Sequence, residues 1–197
     1  MFSLILLHNQ IMVTDDVNWL AAQIKPQIDR PLVLVGLSGA GKSKTGYHLA
    51  QALDLPFIDS DDEIIKAAGM EISDIFAKFG EAYFRAGERR VLARLLDGSP
   101  KVIATGGGAI MPPETAQRIA ESAISIWVRA DIDIIVARTQ GRTDRPLLNN
   151  GNIRDILEDL ARKRYPVYEK ADIVVDSNDS SIRPVIADIL KKLDDFL

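Results

Sequence analysis

Five short apolar runs punctuate the chain: PLVLVG (31–36), LPFI (55–58), KVIAT (101–105), AISIWV (123–128) and DIVV (172–175). The first is apolar almost throughout, the pattern of a strand buried on both faces. Between the runs, apolar positions recur at helical spacing over about 42–52, 61–68, 72–97, 113–121, 131–139, 152–169 and 181–195. Alternation of this kind predicts an α/β fold with a parallel sheet and helices on both faces. Ligands in such sheets bind at the carboxyl ends of the strands. Ahead of Pro31, Val17, Leu20, Ala21 and Ile24 share one helical face, with Thr14 and Asp15 placed to cap it and Pro26 to end it. An amphipathic helix docked on the core explains that face more simply than a partner-binding role. The chain thus divides into an N-terminal extension, 1–30, and a main domain, 31–197.

Composition narrows the function classes. The 197 residues are 47% hydrophobic and 26% charged, enough for a full core. A net charge of −4 argues against non-specific nucleic-acid binding. Cysteine is absent, which removes disulfides and thiolate metal sites, and His8 and His48 have no partners at ligand spacing. The opening MFSLILL lacks a basic flank and a cleavage site and is far shorter than the ~20 residues that span a bilayer. A cytoplasmic protein with no membrane partner is the expectation.

The segment GLSGAGKS (36–43) follows the first strand and opens a helix, matching G-x-x-x-x-G-K-[ST]. Backbone amides around Gly39, Ala40 and Gly41 can form a nest for phosphate oxygens, reinforced by the helix N-terminus. Lys42 would reach the β- and γ-phosphates of a nucleotide, and the Ser43 hydroxyl would ligate Mg²⁺. A merely glycine-rich turn would not need the lysine and the hydroxyl in these places.

Other stretches are more ambiguous alone. In IDSDDE (58–63), Ser60 and Glu63 have capping-box spacing, and Asp61 and Asp62 suit a first helical turn. Capping leaves Asp59 over, which makes it a candidate outer-sphere Mg²⁺ partner, and Asp61 a candidate for binding or deprotonating an acceptor hydroxyl. In YFRAGERR (83–90), Arg85, Glu88 and Arg89 have the spacing of an ordinary solvated ion-pair face. Gly87 inside that helix costs about 1 kcal/mol against alanine and could mark a close approach. Gly106, Gly107 and Gly108 follow the third strand, where they either expose amides to a ligand or form a plain flexible loop. Arg164, just before Pro166, could simply serve a helix C-terminus.

Taken in order, GLSGAGKS, DSD (59–61), FRAGE (84–88), GGG (106–108), ARTQGRTDRPLL (137–148) and RYPVY (164–168) resemble the shikimate kinase family, from about Pro31 to the C-terminus. The resemblance implies a three-layer P-loop kinase fold with a five-stranded parallel sheet in the order 2-3-1-4-5. It implies ATP- and Mg²⁺-dependent phosphorylation of the 3-hydroxyl of shikimate, a step toward chorismate and the aromatic amino acids. By position, Gly39, Ala40, Gly41, Lys42, Ser43 and Lys44 would hold the nucleotide phosphates. Ser43 and Asp59 would serve Mg²⁺, and Asp61 would grip shikimate hydroxyls. Arg85 and Arg164 resemble the pair that binds the substrate carboxylate, beside Gly106, Gly107 and Gly108, with Glu88 in support. Arg138 matches an arginine that packs on adenine, and Arg145 one that reaches the phosphates.

On that reading the arginine-rich stretch 138–151 is the ATP lid, with Gly141 and Gly151 as hinges. Two positions depart from the family. Lys44 stands where a threonine is common, and Arg142 is an additional lid charge with no assigned role. The nearest rival is another small-molecule kinase of this fold, such as a gluconate kinase, against which Arg85 and Arg164 argue. A GTPase switch would carry an N-K-x-D motif, and the chain has none. Small-molecule substrates and a monomer complete the expectation.

Overall fold

A computed structural model describes residues 17–140, 151–178 and 181–197. The strands are β1 (Leu32–Val35), β2 (Phe57–Asp59), β3 (Val102–Ala104), β4 (Ile124–Arg129) and β5 (Ile173–Asp176). They pair in parallel in the order β2-β3-β1-β4-β5. The helices are α1 (17–24), α2 (Lys42–Leu53), α3 (Ser60–Ala68), α4 (Ile72–Leu95), α5 (Pro113–Ser122), α6 (Ile132–Thr139), α7 (Ile153–Tyr168) and α8 (Ile182–Phe196).

The continuous apolar run of β1 is needed because each face of the strand feeds a different core. Leu32 and Leu34 pack with α1, α2 and α8, while Val33 and Val35 pack with α4, α5 and α7. The expected amphipathic helix is therefore docked: Ala21 and Ile24 of α1 are buried in the first of these cores, together with Ile28. A 3-10 turn, Lys25–Gln27, containing Pro26 follows α1. Thr14 and Asp15, the expected caps, lie outside the described residues.

Two local details differ from the sequence pattern. The single helical stretch over 72–97 is two helices end to end, broken where Gly80 takes φ +78° and ψ 173°. A glycine reaches that conformation at little steric cost, and the apolar spacing on either side conceals the break. The segment carrying Arg85 and Glu88 thereby acquires its own direction after the kink. Gly87, in turn, makes no close approach, because a β-carbon there would meet nothing within 4 Å. Gly46 of α2 is the reverse case: its β-carbon would lie 2.7 Å from the Phe57 ring.

These two helical glycines should therefore respond oppositely to the same change. Gly87→Ala should stabilise the fold by about 0.4–1 kcal/mol. Gly46→Ala should destabilise it by about 1–3 kcal/mol through overpacking against β2. Urea denaturation of both variants checks the sign of each.

Candidate active site

The carboxyl ends of β1, β2 and β3 open onto a cavity of about 560 Å³. At the end of β1 the chain enters the loop before α2, where Gly41 caps the helix with φ +100°. Lys42 is buried, and its Nζ donates to the carbonyls of Gly36 and Leu37, at 2.9 Å each. Its ammonium is thus held back over the loop that would receive phosphates. Lys44 is exposed and, with Gly39 and Gly41, lines the cavity.

The end of β2 corrects the capping-box expectation. Asp59, not Ser60, is the cap of α3: its Oδ1 accepts from the Asp61 amide at 3.0 Å. Its Oδ2 accepts from the Ser43 hydroxyl at 2.6 Å. One carboxylate therefore starts α3 and holds the P-loop hydroxyl. Ser60, inside the first turn, is buried and accepts from the Gly106 amide at 3.2 Å. That bond ties β2 to the loop after β3 and leaves no capping role for Ser60. Thr105 fixes the same loop to β1, its Oγ1 donating to the Leu34 carbonyl at 2.9 Å.

The ion-pair face on α4 is only partly solvated. Arg89 faces Glu114 of α5 at 3.7 Å near the surface. Arg85 turns inward, with Nη1 donating to Glu88 Oε2 at 2.8 Å and Nη2 to Glu81 Oε1 at 3.0 Å. Glu88 is only 2% exposed, and its Oε1 has no hydrogen-bond partner among the described residues. Burial pushes the Glu88 carboxyl above its ordinary range, against the pull of Arg85 and Arg164. Burial also opposes the charge on Arg85, but Glu88 and Glu81 more than offset it and raise its pKa.

Arg164 does not serve a helix terminus. Helix α7 continues through Pro166 to Tyr168, and Arg164 is buried on the side facing the glycine loop. The three glycines are explained by what surrounds them. A β-carbon at Gly106 would lie 2.7 Å from Glu88 Oε1 and 3.0 Å from Asp61 Oδ1. At Gly107 it would lie 3.1 Å from Arg164 Nη1, and at Gly108 2.7 Å from Arg85 Nη1. Every side chain expected to meet an acceptor thus converges on this one backbone stretch. That crowding requires glycine at each of the three positions.

On the nucleotide side, Arg138 of α6 donates from Nη1 to the Ala40 carbonyl and the Ser177 hydroxyl, both at 3.2 Å. Its Nη2 donates to the Asn178 carbonyl at 2.8 Å. It links the P-loop to the segment after β5, where Ile182 and Val185 add an apolar wall. Arg142, Arg145 and Gly141 lie outside the described residues, whereas Gly151 is described, at φ +127°. Glu81 and Ser177 carry no motif signal of their own, Ser60 is expected only as a helix cap, and Tyr168 only as the last residue of RYPVY. Tyr168 alone had a usable clue, standing one helical turn after Arg164.

The phosphate-binding loop and the acidic helix start line one cavity with Gly106 and Gly107, and Arg85 and Arg164 pack against the same glycine loop. The family model for shikimate kinase matches residues 38–194. The chain belongs to the shikimate kinase family. A shikimate kinase of Paramagnetospirillum magneticum is 49% identical over 185 residues, covering 94% of this chain and 95% of the relative. One of Rhodopseudomonas palustris is 48% identical, covering 86% of this chain and 83% of the relative. Among solved structures, the shikimate kinase of Acinetobacter baumannii in complex with shikimate superposes with a TM-score of 0.81 at 34% identity. It covers 85% of this chain and 95% of that one. For this member of the family the glycine loop makes a specific demand. Gly108→Ala should displace the Arg85 guanidinium and lower kcat/KM for the acceptor on the order of 10²-fold. Steady-state kinetics on a variant with a native melting curve checks it.

Proposed function

We propose that this protein transfers the γ-phosphoryl group of ATP to the 3-hydroxyl of shikimate, giving shikimate 3-phosphate and ADP on the route to chorismate and the aromatic amino acids. The observation that carries the reading is the convergence of Arg85, Arg164 and Asp61 on the glycine loop, opposite Lys42. A small polyhydroxy carboxylate needs fixed guanidinium groups for its anion and an acceptor for its hydroxyls. Arg85 and Arg164 would bind the carboxylate, and Glu88 would hold Arg85 in the necessary orientation. Asp61 would accept the proton of the 3-hydroxyl as its oxygen bonds to the γ-phosphorus and the bridging P–O bond to ADP breaks.

The amides of Gly39, Ala40 and Gly41 would cradle the phosphates, with Lys42 leaving the Gly36 and Leu37 carbonyls to meet them. Lys44 adds a cation at the mouth of the same cavity, and Arg138 with Ile182 would flank the base. Ser43 and Asp59 would hold Mg²⁺, since a hydroxyl and a carboxylate suit a hard cation that keeps waters and phosphate oxygens as its remaining ligands. When bound, the ion would neutralise charge on the β- and γ-phosphates. Among the described residues no three acidic or histidine side chains form a dedicated cage, so the nucleotide would have to supply part of the coordination. From its motif position, Arg145 would reach the phosphates from the lid. The proposed state is a monomer, and the proposed compartment is the cytoplasm.

A coupled assay with ATP and Mg²⁺ should give turnover with shikimate and none above background with gluconate; the opposite result would overturn the reading. Arg85→Ala and Arg164→Ala should each weaken shikimate binding by roughly 10–100-fold, the worth of a charge-assisted hydrogen bond. ATP affinity should change far less, and calorimetry with each ligand separates the two. Lys42→Ala should lower kcat on the order of 10²-fold or more while leaving the circular dichroism spectrum unchanged.

A further inference from the structure

Arg164 is buried, and a buried guanidinium on a helix needs something to fix its direction. The group beside it is Tyr168, one turn further along α7 and fully buried. The Tyr168 hydroxyl donates to the Gly107 carbonyl. A carbonyl can only accept, so the direction of that bond is settled and the lone pairs of the phenol oxygen face elsewhere. The Arg164 guanidinium packs on the same glycine, and its charge acts on the buried phenol. A chain of contacts results: Tyr168 O–H to the Gly107 carbonyl, and the Gly107 backbone to the Arg164 guanidinium.

Gly107 has neighbours that make this chain consequential. A β-carbon there would lie 3.1 Å from both Arg164 Nη1 and the Ser38 amide of the P-loop. The ring of Tyr168 is clamped from behind by Trp127, at 5.8 Å between centroids, and by Tyr165, at 6.3 Å. Trp127 belongs to β4, so the phenol is referenced to the sheet rather than to the helix alone.

We propose that Tyr168 is a positioning residue for the acceptor site, its hydroxyl holding the Gly107 backbone, and through it the Arg164 guanidinium, in the register that a substrate carboxylate requires. The phenol remains a neutral donor throughout the working range, because burial pushes its pKa up to about 12. The proposal rests on the reading of Arg164 as a carboxylate ligand.

Tyr168→Phe removes the hydroxyl and keeps the ring against Trp127. The expected result is a rise in the KM and Kd for shikimate of about tenfold, with kcat and the Kd for ATP changing much less. The discrimination between shikimate and its carboxamide, measured as the ratio of their affinities, should narrow by a similar factor. A merely structural tyrosine would not alter that ratio in a folded variant. If Arg164→Ala weakens shikimate binding while Tyr168→Phe leaves both affinity and discrimination as in the unsubstituted enzyme, this proposal is wrong and the reading of Arg164 stands. If Arg164→Ala itself has no effect on shikimate affinity, the reading of Arg164 fails and takes the proposal with it. Should Tyr168→Phe not fold, nitrogen-15 spectra of arginine side chains in the unsubstituted protein decide, with Arg164→Lys giving the assignment. Slow rotation of the Arg164 guanidinium before shikimate is added supports the proposal, and fast rotation overturns it.

Discussion

A carboxylate almost wholly removed from water stays charged only if positive charge is delivered to it, and Glu88 sets this requirement for the whole acceptor half of the site. Arg85 answers it directly, and Arg164 contributes across the glycine loop. The same two guanidinium groups are then held with donors left over. Five N–H groups per arginine exceed what the described carboxylates consume. A substrate anion would meet cations already desolvated and oriented, which reduces the ordering cost of binding. The raised Glu88 pKa shows that burial outweighs the two arginines in the free protein. An added anion would compete with Glu88 for them, so the balance of charge must be set locally and not by the net charge of the chain.

Crowding is the geometric counterpart of that electrostatic demand. Asp61 and Glu88 press on Gly106, Arg164 on Gly107 and Arg85 on Gly108. The charged groups that meet the three glycines come from α3, α4 and α7. Asp59 and Ser60 join this half to the nucleotide half, one through the Ser43 hydroxyl and the other through the Gly106 amide. Two adjacent residues at the β2–α3 junction therefore set the separation between the Ser43 hydroxyl and the glycine loop. In phosphoryl transfer that separation is much of what the protein contributes, since catalysis there rests on positioning and charge.

Much of this was legible in the sequence, for identifiable reasons. The strands announced themselves because residues such as Val33 and Leu34 face two separate cores and must both be apolar. Lys42 and Ser43 were legible because their spacing follows from phosphate chemistry, whereas Arg85 and Arg164 were paired only through the family resemblance. The break at Gly80 was hidden, since apolar spacing continues in phase across it. The cap was misassigned for a similar reason: Ser60 and Glu63 satisfy the capping-box pattern, yet Asp59 is held in the capping position because Ser43 anchors its other oxygen. A bond between residues 16 apart has no local signature. Gly106, Gly107 and Gly108 showed that something needed room, while the identity of the neighbours depended on where α3, α4 and α7 come to rest.

The nucleotide half is self-occupied in a way that bears on the order of events. Lys42 spends its ammonium on the Gly36 and Leu37 carbonyls, and Arg138 spends its guanidinium on Ala40, Ser177 and Asn178. Both cations are therefore solvated by the protein's own backbone before any phosphate arrives. Exchanging neutral carbonyls for phosphate oxygens is electrostatically favourable, whereas breaking an ion pair would return little. Arg138 already bridges the P-loop and the segment after β5, so the base would enter between elements whose spacing is set. The acceptor half solves its charge problem with Glu88, and the nucleotide half with carbonyls.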